Sequence, residues 1–299
     1  LIIAAIDIGS NAARLLICEA KKYKDGTVDY TKLTFLRIPL RLGFDVFSTG
    51  RISDEKTKYL IESMAAYKLL MDIYKVEVYR ACATSAMRDA KNGTSIIKSV
   101  KAKTGLNIEV IHGDEEANIL YQSHLAEQLS ANKAYLYVDV GGGSTEVTLY
   151  YKKKVILKES FNIGTIRLLN QNVTPDQWEH LKNQLKKYCS KVPQVEVVGS
   201  GGNINKVFSL SKQKEGKPIK LSLLKNYLNA LKKMTVAERM HEYNLREDRA
   251  DVIVPALEIY TSILNWCGVQ EIYVPKIGLA DGLVRQLYTL KQGQVNAVK

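Results

Sequence analysis

Apolar and polar positions repeat one pattern twice along the chain. Ala5-Ile6-Asp7-Ile8-Gly9-Ser10-Asn11-Ala12-Ala13-Arg14-Leu15-Leu16-Ile17 is echoed by Tyr137-Val138-Asp139-Val140-Gly141-Gly142-Gly143-Ser144-Thr145-Glu146-Val147-Thr148-Leu149. Each copy reads apolar, Asp, apolar, Gly, turn, strand. The residues after each turn suit strand better than helix. The spacing between copies is far too long for a solenoid, so the repeat predicts two duplicated lobes. Each lobe opens on a hairpin whose Asp stands beside a small-residue turn, and both turns are expected to face one cleft. Between the copies the pattern predicts a helix over 54–74 and a strand over 77–83 that leads into Thr84-Ser85-Ala86-Met87-Arg88. A strand over 107–111 follows, then His112-Gly113-Asp114-Glu115-Glu116-Ala117-Asn118 and helical spacing to about residue 129.

The two turns carry the first candidate chemistry. Neither fits a Walker loop or a dinucleotide fingerprint, because both of those glycine patterns open a helix and these open a strand. Consecutive backbone N–H groups in a Gly-rich turn can still form an anion-binding nest, and glycine lets the ligand approach. Gly9-Ser10-Asn11 and Gly141-Gly142-Gly143-Ser144-Thr145 are the two candidate cradles; each taken singly is also ordinary chemistry for a ligand-free hairpin. A third cluster, Val195-Glu196-Val197-Val198-Gly199-Ser200-Gly201-Gly202-Asn203, follows a strand pattern and leads into a helix over 204–210. A helix N-terminus of that kind favours anions.

Composition adds limits. A chain of 299 residues fits two domains, and 46% hydrophobic with 25% charged residues suits a folded globular protein. The net charge of +12 favours polyanionic partners, although lysine clusters such as Lys152-Lys153-Lys154 also serve simply to solvate a surface. Cys18, Cys82, Cys189 and Cys267 show no C-x-x-C spacing, which predicts reduced thiols, no zinc site and a cytoplasmic setting. No stretch reaches a membrane span, and the apolar run over 1–6 is too short for a signal-peptide core. The opening on Leu1 predicts that an initiator Met and a few residues precede it. The four histidines form no H-E-x-x-H or Ser-His-Asp arrangement. Tyr121, Tyr188, Tyr227 and Tyr260 fall in helical stretches, where packing rather than base stacking is expected; no nucleic-acid motif accompanies them.

Taken together, Ala5 to Asn11, Ala83-Thr84-Ser85-Ala86-Met87-Arg88, Gly113-Asp114-Glu115-Glu116-Ala117, Val138 to Glu146 and Gly199 to Asn203 resemble the exopolyphosphatase / guanosine pentaphosphate phosphohydrolase family of the actin-like superfamily. Arg246 to Pro255 and Gly278 to Gly282 resemble its later segments, so the resemblance covers nearly the whole chain, in its short two-domain form. It implies an α/β protein of two actin-like (ribonuclease H-like) lobes, mixed sheets flanked by helices with a cleft between them. The expected division is 1–125 and 126–283, with a last helix over about 284–299 packed on the first lobe.

The implied activity is release of a terminal phosphate from inorganic polyphosphate, with guanosine pentaphosphate as the rival substrate, by metal-assisted attack of water. Glu116 falls at the position of the family's proposed base, and Arg88 at that of a phosphate-gripping arginine. Asp139 and Glu146 are the magnesium candidates, with Asp7 assisting. Gly9, Ser10, Asn11, Arg14, Gly141, Gly142, Gly143, Ser144, Thr145 and Gly201 are expected to bind phosphate; the sequence does not fix the oligomeric state and leaves a homodimer open. Acidic residues in a first helical turn also serve the helix dipole, which is the plain alternative for Glu115 and Glu116. The chain departs from the family pattern at Ala12, where Ser is common, at Asn118, where Arg is common, and within Gly278 to Gly282. Those departures keep open a non-catalytic polyphosphate or nucleotide sensor, and the superfamily keeps open a kinase.

Overall fold

The first hairpin forms where the repeat placed it. In the computed structural model, which describes residues 1–122, 132–152, 154–275 and 278–297, β1 (Ile2–Ile8) and β2 (Ala13–Lys22) run antiparallel with Asp7 opposite Arg14. β1 is almost continuously apolar because it is an interior strand buried on both faces. β3 (Val28–Ile38) extends the meander. α1 (Leu42–Thr49) and α2 (Asp54–Ile73) then return the chain to β4 (Val78–Ala83), which lies parallel to β1.

α2 starts where Ser53 accepts a hydrogen bond from the Lys56 N–H, with Asp54 and Glu55 in its first turn. It buries Leu60, Met64, Tyr67 and Met71 along one face. The Tyr67 hydroxyl donates to the Ala13 carbonyl at 3.0 Å and so fixes the chain just past the first turn.

α3 (Ser85–Asp89) and α4 (Gly93–Thr104) precede β5 (Glu109–Val110), which pairs in parallel with β4. This strand is shorter than the 107–111 expectation. β5 is the edge of the sheet, and the Asn107 N–H goes to the Tyr79 hydroxyl at 3.1 Å instead of joining a ladder. α5 (Gly113–Gln122) follows; the expected continuation to 129, and the expected domain boundary at 125, lie outside the described residues.

The second unit repeats the plan. β6 (Ala134–Val140), β7 (Thr145–Tyr151) and β8 (Lys154–Phe161) form an antiparallel meander. α6 (Thr165–Leu169) and α7 (Pro175–Cys189) lead to β9 (Val195–Ser200), parallel to β6. Then come α8 (Gly202–Leu210), β10 (Ile219–Lys220), α9 (Leu221–Lys232), α10 (Val236–Tyr243), α11 (Glu247–Ala250), α12 (Ile253–Trp266) and β11 (Glu271–Tyr273).

Strand orders β3-β2-β1-β4-β5 and β8-β7-β6-β9-β11 correspond one to one, with β10 added beyond β11. α12 is apolar nearly all round, and it is the central core helix of this unit, packed with Leu136, Val138, Val197 and Ile272.

α13 (Leu279–Ala297) belongs to the first unit, which comprises Leu1–Leu125 with Ile277–Lys299, while the second comprises Ala126–Lys276. The expected division after 283 therefore falls inside one continuous helix. Leu279, Ala280, Leu283, Val284, Leu287 and Tyr288 lie in one core with Ile3, Ala5, Leu16, Cys18 and Cys82 of the sheet. Lys32 pairs with Asp281 at 2.5 Å, and Tyr30 meets Tyr288 edge-on at 5.7 Å. Among the described residues no helix is long and apolar enough to cross a membrane.

Gly282 is where α13 meets α5: a Cβ there would lie 2.5 Å from the Ile119 carbonyl oxygen and 2.6 Å from its Cγ2. Gly282→Ala is expected to push the helices apart and to cost about 1–3 kcal/mol, the usual range for overpacking. Urea denaturation of the variant checks this; an unchanged midpoint would show that the two helices tolerate the added methyl.

Candidate functional site

In the first unit the turn between β1 and β2 closes by a hydrogen bond from the Gly9 N–H to the Ala12 carbonyl at 3.0 Å. Arg14 Nη1 holds Asp7 Oδ2 at 2.5 Å, so the buried Asp7 carboxylate already faces a cation across the hairpin. The Asn11 carbonyl accepts from the Arg41 N–H at 2.8 Å, and the Ser10 carbonyl from that of Gly43 at 2.8 Å.

The Ser10 and Ser85 hydroxyls meet at 2.8 Å, which ties the turn to the first residue of α3. One turn on, Arg88 Nη1 donates to the Ile111 carbonyl at 3.1 Å, immediately before α5. Glu116 sits in the first turn of α5, buried at 9% exposure, with its N–H on the His112 carbonyl at 3.0 Å. Gly9, Ser10, Asn11, Arg88 and Glu116 are thus carried on three neighbouring segments of one sheet end. Glu115 points elsewhere: its Oε1 lies 2.5 Å from Arg80 Nη2, and the same guanidinium binds Glu109 and the Gln286 side chain of α13. Burial works against the Arg80 charge, but the bonds to Glu109 and Glu115 outweigh it and hold its pKa above the ordinary arginine value.

The second hairpin has the same frame and different charges. The Gly141 N–H donates to the Ser144 carbonyl at 2.9 Å, as Gly9 does to Ala12, and Asp139 lies opposite Glu146 as Asp7 lies opposite Arg14. Two carboxylates therefore stand across one antiparallel pair, where a first-unit arginine has its counterpart. Their oxygens come within 4.8 Å of each other. Like charges placed this way are destabilising unless a cation or donors balance them. Ser144 Oγ and Ser160 Oγ both donate to Glu146 Oε1, at 2.6 and 2.8 Å.

The carbonyls of the second turn are turned away and used by α6. Thr165 N–H binds Gly141 at 3.0 Å, Ile166 N–H binds Gly142 at 2.8 Å, and Arg167 Nε binds Gly143 at 2.7 Å. Gly164 makes this closeness feasible, since a Cβ there would lie 2.4 Å from the Gly142 carbonyl oxygen. Thr145 is fully buried, and its hydroxyl donates to the Ile163 carbonyl at 2.6 Å.

Gly201, between β9 and α8, has φ 113° and ψ 156°, a region open essentially to glycine alone. A Cβ there would stand 3.1 Å from Asp139 Oδ1 and 3.0 Å from the Val140 carbonyl oxygen, so the missing side chain leaves room beside the Asp139 carboxylate. Tyr260 of α12 secures both strand ends: its hydroxyl donates to the Ser200 carbonyl and lies 3.4 Å from that of Val138. Complete burial, then the nearby Asp139 charge, keeps its phenol protonated far above the usual tyrosine range.

Ser160, Tyr260, Gly164 and Ser85 were not among the predicted site residues. Ser160 reaches Glu146 only because β7 and β8 pair those two positions, and Tyr260 arrives from a distant helix where packing alone was expected. Ser85 lies within the Ala83 to Arg88 motif, but its partner Ser10 comes from the turn between β1 and β2. Strand register, turn contact and helix packing, not local pattern, supply these contacts.

The common strand order and the paired Asp hairpins define a two-domain protein of the actin-like class. The chain belongs to the Ppx/GppA phosphatase family, whose model matches residues 23–290. Among solved structures, the Ppx/GppA family member of Aquifex aeolicus superposes with a TM-score of 0.74 at 29% identity, covering 97% of this chain and 98% of that one. Exopolyphosphatase 2 of Mycobacterium tuberculosis is 33% identical over 181 residues, 58% of this chain and 56% of that protein. The bifunctional 3-dehydroquinate synthase/phosphatase of Fusobacterium nucleatum is 33% identical over 169 residues, 55% of this chain and 25% of that protein. The chain thus spans 25% and 56% of the length of these two curated relatives.

Gly201→Ala is expected to cost on the order of 1–3 kcal/mol, because it combines a backbone region that L-residues avoid with contact against Asp139. Thermal unfolding should show the loss; a variant as stable as the parent would mean that the β9–α8 turn can relax without disturbing Asp139.

Proposed function

We propose that this chain is a divalent-metal-dependent phosphohydrolase that releases the terminal phosphate of inorganic polyphosphate, with guanosine pentaphosphate as the alternative substrate. The observation that carries the proposal is the charge exchange between the hairpins. Where Asp7 faces Arg14, Asp139 faces Glu146, a small set of oxygen ligands of the kind magnesium takes together with waters and phosphate oxygens. The donor set fits such an ion. Ser144 and Ser160 converge on one oxygen of Glu146, and the glycine at 201 leaves space beside Asp139. A bound magnesium would neutralise phosphate charge and polarise the phosphorus–oxygen bonds.

The chain's own residues account for the remaining steps. Phosphoanhydride hydrolysis is mainly positioning and charge stabilisation. In this reading Glu116 accepts a proton from the attacking water, its position set by the α5 first turn and by the Arg80–Glu115 pair beside it. Arg88, tethered through Ile111, offers its remaining donors to a phosphate, and the later peptide N–H groups of each turn take phosphate oxygens, since the first one closes the turn. Asp7 orients Arg14 toward the same phosphates rather than joining the metal. Family membership and the named activity of the mycobacterial relative support this substrate class. The reading requires Glu116 of the first unit and Asp139 with Glu146 of the second to serve one substrate.

Phosphate release is to be measured with polyphosphate, guanosine pentaphosphate and ATP side by side, with magnesium. Activity is expected on one of the first two and to vanish with a chelator. Glu116→Gln should lower kcat by about 10²–10⁴. Its combination with Glu146→Gln should cost little more than the worse single change, as expected of groups acting as a unit. Ser160→Ala should lower metal affinity by about 10–100-fold and so raise the metal concentration needed for activity. No release from any substrate would leave the sensor reading standing, and ADP formation that depends on an acceptor would favour a kinase.

A further inference from the structure

The site just described uses no cysteine, yet two thiols far apart in sequence are brought together in the second unit. Cys189 is the last residue of α7 and Cys267 caps the C-terminus of α12; their sulfurs are 3.3 Å apart and both side chains are partly exposed. We propose that Cys189 and Cys267 are a covalent modification site, a dithiol that closes to a disulfide on exposure to a low-molecular-weight disulfide such as oxidised glutathione.

Three observations carry the inference. First, the two sulfurs are already closer than ordinary non-bonded contact, so closing the bond asks only for a small approach of two helix ends. The helices are registered by packing: Trp178 of α7 meets Trp266 of α12 edge-on at 5.8 Å, next to Cys267. Second, the contact between the two sulfurs itself favours a thiolate at one of them. Hydrogen bonding between the two thiols, in which either sulfur can donate, favours the thiolate at Cys189 and the protonated thiol at Cys267.

Third, the other two cysteines are internal controls. Cys18 and Cys82 are buried, and burial first of all pushes their pKa values up to about 11 and about 12. Buried, protonated thiols are poor nucleophiles.

The Cys189 thiolate attacks one sulfur of the oxidised reagent, forming a mixed disulfide and releasing one glutathione thiolate. Cys267, giving up its proton, then attacks the Cys189 sulfur and expels the second glutathione. Two protein thiols and one reagent disulfide become one protein disulfide and two reagent thiols, with two electrons passing to the reagent. The product joins residues 78 apart in sequence and ties α7 to the helix that carries Tyr260.

The test uses the full chain, treated natively with oxidised glutathione, quenched, and analysed by thiol titration, mass spectrometry and thermal unfolding. Two of the four thiols are expected to disappear, with a peptide pair linking Cys189 to Cys267, no retained glutathione, and a rise of about 5–10 °C in Tm that dithiothreitol reverses. Cys267→Ser should instead retain one glutathione on Cys189 and show no rise. Four persisting thiols, a stable glutathione adduct on the parent chain, or a linkage through Cys18 or Cys82 would each overturn the proposal. Phosphate release plays no part in these readouts, so they hold whichever substrate the chain takes.

Discussion

Two carboxylates held face to face across one hairpin are the constraint around which the second unit is arranged. Asp139 and Glu146 are held side by side, because the β6–β7 register fixes them as direct neighbours in a ladder anchored by the core residues Leu136, Val138, Val147 and Leu149. Their mutual repulsion must be met by something: two serine hydroxyls converge on one oxygen of Glu146, and the glycine at 201 leaves room beside Asp139. Tyr260, protonated and fully buried, holds the ends of β6 and β9 beneath this pair, so the charge stands on a rigid base. The first unit shows what the same frame looks like when the charge is balanced internally, with Arg14 in place of Glu146.

That contrast explains how one duplicated hairpin supports two kinds of work. The first turn is linked by serine contact to α3 and, through Arg88, to the start of α5, which makes it part of a polar network about an acidic helix terminus. The second turn is backed by α6, whose N–H groups and Arg167 take up its carbonyls. Nest-like turns bind anions through N–H groups, so tying the carbonyls down on one side is what directs the peptide dipoles to the other. Ala12, buried where the second hairpin has Ser144, cannot supply the hydroxyl that Ser144 gives to Glu146, and next to Arg14 none is needed.

Much of this could be read from the chain alone, and the reasons are physical. Both hairpins, the α2 helix and the Gly-to-helix junction after β9 are local patterns of apolar period, caps and glycine, and these appear in the structure close to where the sequence put them. Asp7 and Asp139 stand out in the sequence because a duplicated motif displays that position twice, whereas Glu146 has Arg14 as its counterpart and Glu116 is marked only by the family resemblance. Less legible was everything set by strand register or helix packing. Ser160 becomes a partner of Glu146 only through β7–β8 pairing, and Tyr260 looked like core until its hydroxyl was placed on two backbone carbonyls. Likewise β5 shrank to two residues because a tyrosine from the neighbouring strand took the N–H that a longer ladder would have used.

The return of α13 to the first sheet has a consequence for biogenesis. Ile3, Ala5, Leu16 and Cys18 precede by most of the chain's length the helix that covers them through Leu287 and Tyr288, so they are made long before it. At ribosomal speeds of about 5–20 residues per second, that apolar sheet face waits on the order of tens of seconds for its cover. The later-encoded unit, whose strands and helices are contiguous in the chain, can meanwhile complete its own core. Until then β1 and β2 present that face to chaperone capture, and a chain stalled short of residue 279 would leave it bare.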